Sequence, residues 1–97
     1  MYLEIVSPEA TLFSSEVDAV TVPGVDGEFE MLNHHAAIVS LLTAGTVKIK
    51  VHTQSHLDYD ELHPEIEPHM SDNKLLTVKI KSGTLESKDN KIIILAD

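Results

Sequence analysis

Apolar residues in this chain recur mainly at every second position, which is the period of a β-strand. Two runs show the pattern best. Apolar residues at 47, 49 and 51 alternate with Lys or His, and those at 76, 78 and 80 alternate with Thr or Lys. Residues 3–5 form a shorter run of the same kind. Each run predicts a strand with one buried face and one solvated face.

Short turn signals separate these runs. Asp89-Asn90 predicts a two-residue hairpin turn. Residues 16–22 change phase midway, which we interpret as a bulge or a twist between sheets. Residues 36–42 are too short for a convincing helix, and their β-branched residues favour a strand. Together the spacing predicts an all-β fold, an antiparallel two-sheet β-sandwich or flattened barrel, formed by residues 1–97 as one domain.

Two segments depart from simple alternation. Residues 92–95 are apolar on both faces, so one face can join the core and the other needs a cover, either the rim of the second sheet or a partner protein. Residues 52–74 hold six acidic residues, one Lys, and Pro64 and Pro68, which forbid a continuous helix. We expect a long acidic loop or a hairpin arm at 52–74. An arm that contacts a neighbour and a loose solvated loop both remain open there.

Charge and composition exclude several classes of partner. The chain has 97 residues and a net charge of -9, and all seven basic residues are Lys. Without Arg and with this charge, it is not expected to bind nucleic acid or an anionic lipid surface directly. It has no Cys, which excludes disulfides and thiol chemistry. No apolar run is long enough for a membrane helix, and residues 1–10 lack a signal-peptide pattern, so an interior location without direct lipid insertion is expected.

The candidate chemistry is weak. Four histidines of the acidic segment lie near carboxylates that bind metals, but no spacing matches a specific zinc pattern, so solvated loop histidines are favoured. They are His52, His56, His63 and His69. Ser, His and Asp are all present without a G-x-S-x-G turn, which does not make a triad. We therefore predict no catalytic, metal or cofactor site, and a binding or structural module rather than an enzyme.

Several motifs, in order, resemble those of the epsilon subunit of rotary ATP synthases, called delta in mitochondria. Residues 7–9 (SPE), 13–17 (FSSEV), 20–24 (VTVPG), 27–29 (GEF) and 35–36 (HA) match its first half. Residues 45–49 (GTVKI) match the strand that follows, and 82–97 resemble its end. The resemblance covers residues 1–51 and 75–97, and 52–74 is expected to be an insertion atypical of the family. Asn33 and His34 take the place of a Pro-Gly pair that is common in the family.

The resemblance implies a non-catalytic rotor subunit of the central stalk, which couples the gamma shaft to the membrane ring of c subunits during proton-driven ATP synthesis. It implies a peripheral position on the cytoplasmic face of the bacterial inner membrane. It also implies that this chain lacks the two-helix hairpin of longer members, and so neither inhibits by that route nor binds ATP. The alternative from a different class is a free-standing β-sandwich module that binds a metal or a small ligand.

Positions carried over from the family give two hypothetical contact sites. The ring of c subunits is expected to meet Glu28, Phe29, Glu30, Met31, Asn33, His34 and His35. The gamma shaft is expected to meet Ser7, Ser40 and Leu42. On residue pattern alone, Glu28 and Glu30 share one strand face across an inward-turned Phe29, and this face is either simply solvated or an acidic rim for a partner.

Overall fold

The computed structural model describes residues 1–51, 67–68 and 75–97. The described residues form ten strands and no helix, which confirms the all-β prediction. The strands are β1 (Tyr2–Val6), β2 (Thr11–Glu16), β3 (Ala19–Gly24), β4 (Gly27–Leu32), β5 (Ile38–Leu42), β6 (Gly45–Lys50), β7 (Glu67–Pro68), β8 (Leu75–Ile80), β9 (Gly83–Lys88) and β10 (Lys91–Ala96).

The strands follow one hydrogen-bonded path that falls into two halves. The first half has the order β2-β1-β10-β9-β5, and the second has β3-β6-β8-β7 with β4 on the other side of β3. Only the residue pair Gly24 and Leu42 joins β3 to β5, so the path is narrowest there. Antiparallel pairing holds between the described strands except for β1 and β10, which run parallel.

A single core lies between the two halves. The first half contributes buried residues such as Leu3, Leu85 and Ile94, and the second contributes others such as Val22 and Ile49. Both sets come from every second position of their strands, as the alternation predicted. The prediction of a sandwich or flattened barrel is therefore confirmed in the form of one curled sheet, whose two halves pack their apolar inner faces against each other.

The phase change in residues 16–22 comes from a change of strand and not from a bulge. β2 ends at Glu16 in the first half, and β3 begins at Ala19 in the second half. A register shift does occur elsewhere, between Ile5 and Val6 on β1, and it leaves both Leu12 and Phe13 of β2 buried. The predicted hairpin turn at 89–90 is confirmed, because β9 and β10 pair on either side of it.

The predictions about 52–74 fall almost entirely outside the described residues. Within that range, only the backbone pairing of β7 with β8 is described, with Glu67 opposite Thr77 and Pro68 opposite Leu76. The predictions of an insertion and of a single domain over 1–97 stay predictions.

Candidate functional site

β4 carries the acidic side of the predicted ring site. Glu28 and Glu30 are exposed, whereas the half-buried Phe29 packs against the core and Met31 has no exposed surface. Because side chains alternate along a strand, the two carboxylates share the outer face. Met31 lies opposite Val20 on the inner face and does not reach the surface where the predicted contact would form.

The position of Phe29 depends on a glycine in the neighbouring strand. Gly24 pairs with Gly27 at the end of the β3–β4 hairpin. A Cβ atom on Gly24 would lie 2.8 Å from Cε1 of Phe29 and 2.8 Å from the carbonyl oxygen of Gly27. The missing side chain therefore gives the ring of Phe29 its space beneath the hairpin.

One cation lies beside the acidic face. Lys48 of β6 places its Nζ 3.6 Å from Oε2 of Glu28, with both side chains about half exposed. Such an exposed pair contributes about 0–1 kcal/mol to stability. Because the pair is weak and accessible, Glu28 remains able to exchange Lys48 for a basic group of a partner.

The remaining ring-site residues form the turn after β4. Asn33, His34 and His35 are all exposed, and the N–H of His35 donates to the carbonyl of Leu32 at 3.1 Å. The His35 ring makes a hydrogen bond from Nδ1 to the carbonyl of Ala36 at 2.8 Å. The turn thus extends the acidic surface of β4 with exposed polar and histidine side chains.

A groove of about 530 Å³ connects the two predicted sites. Phe29 and Ile38 supply apolar lining, Asp26, Glu28 and His35 supply polar lining, and Ser40 of the predicted shaft site also lines it. An acidic groove suits a Lys or Arg side chain, which gains from the carboxylates.

The predicted shaft residues lie in unequal surroundings. Leu42 is 3% exposed, so its side chain belongs to the core. Ser40 is half-buried and its hydroxyl donates to the carbonyl of Leu41 at 3.3 Å. Ser7, also half-buried, accepts a hydrogen bond on Oγ from the N–H of Ala10 at 3.3 Å.

Sequence reasoning missed an apolar surface on the first half of the sheet. Val39 is 75% exposed, Leu41 62% and Leu95 54%. Leu41 and Leu95 both lie opposite Thr84, and Val6 lies opposite Leu95. These residues form a row across four strands in which β9 contributes Thr84. We call Val6, Val39, Leu41 and Leu95 the outer apolar face. The two-sided apolar pattern of residues 92–95 signalled Leu95, but nothing signalled Val39 or Leu41.

The described part of the chain does not form the metal site considered from its sequence. There, no three or more His, Cys, Asp or Glu side chains come together in an arrangement able to hold a metal ion. The four histidines considered for a metal lie outside the described residues. Across the same part, no helix has the length and apolarity to cross a membrane.

Comparison with known proteins identifies the family. The model of the β-sandwich domain of the ATP synthase delta/epsilon chain matches residues 1–59. The chain belongs to the ATP synthase delta/epsilon family. This membership confirms the resemblance inferred from the motifs in residues 7–49, which lie within the matched range.

Two curated relatives illustrate the match, and both come from bacteria. The chain is 32% identical over 95 residues to the ATP synthase epsilon chain of Dehalococcoides mccartyi, a match that covers 98% of this chain and 54% of the relative. It is 35% identical over 97 residues to that of Campylobacter fetus, with 100% of this chain and 60% of the relative covered. The chain thus spans between half and two thirds of the length of these relatives.

Solved structures share the fold of this chain at low sequence identity. A chain in the Euglena gracilis mitochondrial ATP synthase structure of OSCP, F1 and c-ring has a TM-score of 0.72 and 18% identity, covering 97% of this chain and 48% of that one. A chain in the Tetrahymena thermophila central stalk and c-ring structure has a TM-score of 0.69 and 13% identity, covering 99% and 62%. At these identities the likeness supports the fold.

Proposed function

We propose that this chain is a non-catalytic subunit of the central stalk of a rotary ATP synthase, where it couples the gamma shaft to the ring of c subunits. Family membership supports this role over a free-standing metal- or ligand-binding module. One structural observation carries the proposal. A single packed core holds two exposed surfaces of different chemistry, the acidic strand β4 and the outer apolar face.

The acidic surface suits the ring. Glu28, Glu30 and the turn of residues 33–35 present carboxylates and polar groups, while Phe29 anchors the strand to the core. Carboxylates of this kind pair with Lys or Arg on polar loops of a partner, and such contacts guide orientation more than they add affinity. Screening by salt is expected to weaken the contact.

The outer apolar face suits the shaft. Exposed Leu and Val side chains gain free energy by leaving water, at about 25 cal/mol per Å² of apolar surface buried. Of the predicted shaft residues, Ser7 follows Val6 directly and adjoins this face, whereas Ser40 points to the opposite face of β5 together with Leu42. We propose that Val39, Leu41 and Leu95 are its main shaft contacts, with Leu42 supporting them from the core.

The coupling itself is mechanical. Proton flow turns the ring, and the chain transmits that rotation because it is bound to both ring and shaft. A densely packed interior deforms little under load, which suits a rigid connector. The proposed location is the cytoplasmic face of the bacterial inner membrane, peripheral and held through the complex. No residue of the chain takes part in chemistry in this proposal.

Copurification tests the proposal. The chain, expressed with an affinity tag in its native host, should bring gamma and c subunits with it from membranes solubilised in mild detergent at low salt. A control pull-down with the tag alone should bring neither. Recovery of the chain without gamma and without c would reject the rotor role. Saturable zinc binding by the isolated chain in calorimetry, together with that result, would favour the free-standing module instead.

A further inference from the structure

The turn after β4 has an unusual backbone conformation. His34 has a φ of 61°, in the left-handed region that non-glycine residues seldom adopt. It is the third residue of the turn closed by the His35 N–H and the Leu32 carbonyl. A positive φ at that position alone is the pattern of a type II turn, which favours Gly or Asn there. Histidine adopts this region more often than most non-glycine residues but less readily than glycine, so a contact that stabilises the turn favours His34 in this conformation.

Two distant parts of the chain contact this turn. The N-terminal ammonium group of Met1 donates to Oδ1 of Asn33 at 3.0 Å, and the second contact comes from the β9–β10 hairpin. Asn90, in the turn between β9 and β10, accepts a hydrogen bond on Oδ1 from the backbone N–H of His34 at 2.7 Å. Its Nδ2 donates to Oδ1 of Asn33 at 2.9 Å. One amide side chain thus contacts both central residues of the turn. We call these two hydrogen bonds the Asn90 clasp.

Asn90 is itself well anchored. Asp89 and Asn90 have φ values of 52° and 62°, the two positive values of a type I′ hairpin turn. The carbonyl of Asn90 accepts from the N–H of Tyr2 at 3.1 Å, which ties the turn to β1. The clasp therefore joins the exposed turn of residues 33–35 to two paired strands of the first half.

The hairpin turn alone does not require an amide side chain at position 90. Glycine would fit the positive φ of Asn90 with less strain, yet it has no donor or acceptor in its side chain. Aspartate would offer an acceptor to His34 but no donor to Asn33. Only a side chain with both a donor and an acceptor can occupy this position of the hairpin and also form the two hydrogen bonds to the distant turn.

We propose that Asn90 is a positioning residue that holds residues 33–35 in the shape presented to the ring of c subunits. The inference rests on the proposed function, since it names the partner of the same surface. It adds Asn90 to the residues that determine this contact, although Asn90 lies 56 positions from His34 and on a different hairpin.

The test replaces Asn90 with Gly in the full chain, which preserves the hairpin geometry and removes the clasp. Asp89→Gly is the matched control, because it makes the same change at the neighbouring residue with the same sign of φ. Amide hydrogen exchange by NMR should be roughly three- to tenfold faster at His34 in Asn90→Gly, as expected for one lost hydrogen bond. The Tyr2 amide and the amides of β10 should keep wild-type rates in both variants.

Binding to purified c rings is the second readout. Asn90→Gly should bind the ring at least threefold more weakly than wild type, and Asp89→Gly should match wild type. Unchanged exchange at His34 would overturn the clasp. Faster exchange with unchanged ring affinity would overturn the positioning role. If the wild-type chain binds neither the ring nor gamma, the proposed function and the ring as partner are rejected. The exchange data would still decide whether the clasp orders the turn.

Discussion

At the scale of single residues, a backbone atom that lies close to a glycine Cα leaves no room for a side chain at that position. Gly83 begins β9 and pairs with Ala96 of β10. A Cβ atom on Gly83 would lie 2.6 Å from the carbonyl oxygen of Leu95. That oxygen belongs to a paired strand, so it cannot withdraw without disturbing the β9–β10 ladder.

Gly83→Ala should therefore destabilise the fold by about 1–3 kcal/mol, the usual cost of overpacking. Urea unfolding followed by circular dichroism measures this free energy. Lys88→Ala, at the exposed opposite end of β9, serves as the control and should change it by less than about 0.5 kcal/mol. Equal stability of Gly83→Ala and wild type would show that β10 adapts to the added methyl group.

At the scale of elements, a strand that buries one apolar face and exposes a leucine on the other separates stability from binding. β10 buries Ile92 and Ile94 in the core and leaves Leu95 54% exposed. β4 behaves similarly, since it buries Met31 and leaves Leu32 54% exposed. The two leucines are equally exposed but lie on opposite halves of the sheet, which makes them a matched pair.

Leu95→Thr should weaken binding to purified gamma by about tenfold or more, because an apolar contact is lost from the proposed shaft surface. Threonine keeps the preference for strand, so the free energy of unfolding should change by less than about 0.5 kcal/mol. Leu32→Thr should leave gamma affinity unchanged. Titration calorimetry measures both affinities, and equal losses in the two variants would place the shaft contact elsewhere.

At the scale of the whole molecule, the net charge of -9 acts in two directions. Self-repulsion among the acids opposes compaction, whereas the same acids attract basic partners. Salt screens both effects. The stability of the isolated chain should therefore rise with salt while its affinity for the ring falls.

Charge reversal at one acid tests this separation. Glu30→Lys and the control Glu9→Lys both replace an exposed acid and make the net charge less negative by two units. Both should leave the melting temperature equal or higher, because repulsion decreases. Only Glu30→Lys should lower affinity for purified c rings, by about threefold to tenfold at low salt. Equal ring affinity of the two variants would reject the acidic contact.

Much of the architecture followed from local pattern. The alternation at 47–51 and 76–80 predicted β6 and β8, and Asp89-Asn90 predicted the β9–β10 hairpin. The ordered motifs of residues 7–49 predicted the family. These succeeded because a period of two, a turn preference and a short motif are all properties of residues close together in the chain.

Only the tertiary structure decided which strands became neighbours and which apolar faces stayed in water. The parallel pairing of β1 with β10, the exposure of Val39 and Leu41, and the clasp from Asn90 to residues 33–34 all join distant segments. Alternation states which residues share a face of a strand. It does not state which face turns inward when both are apolar, nor which strand lies alongside, because those choices depend on how the whole chain packs its core.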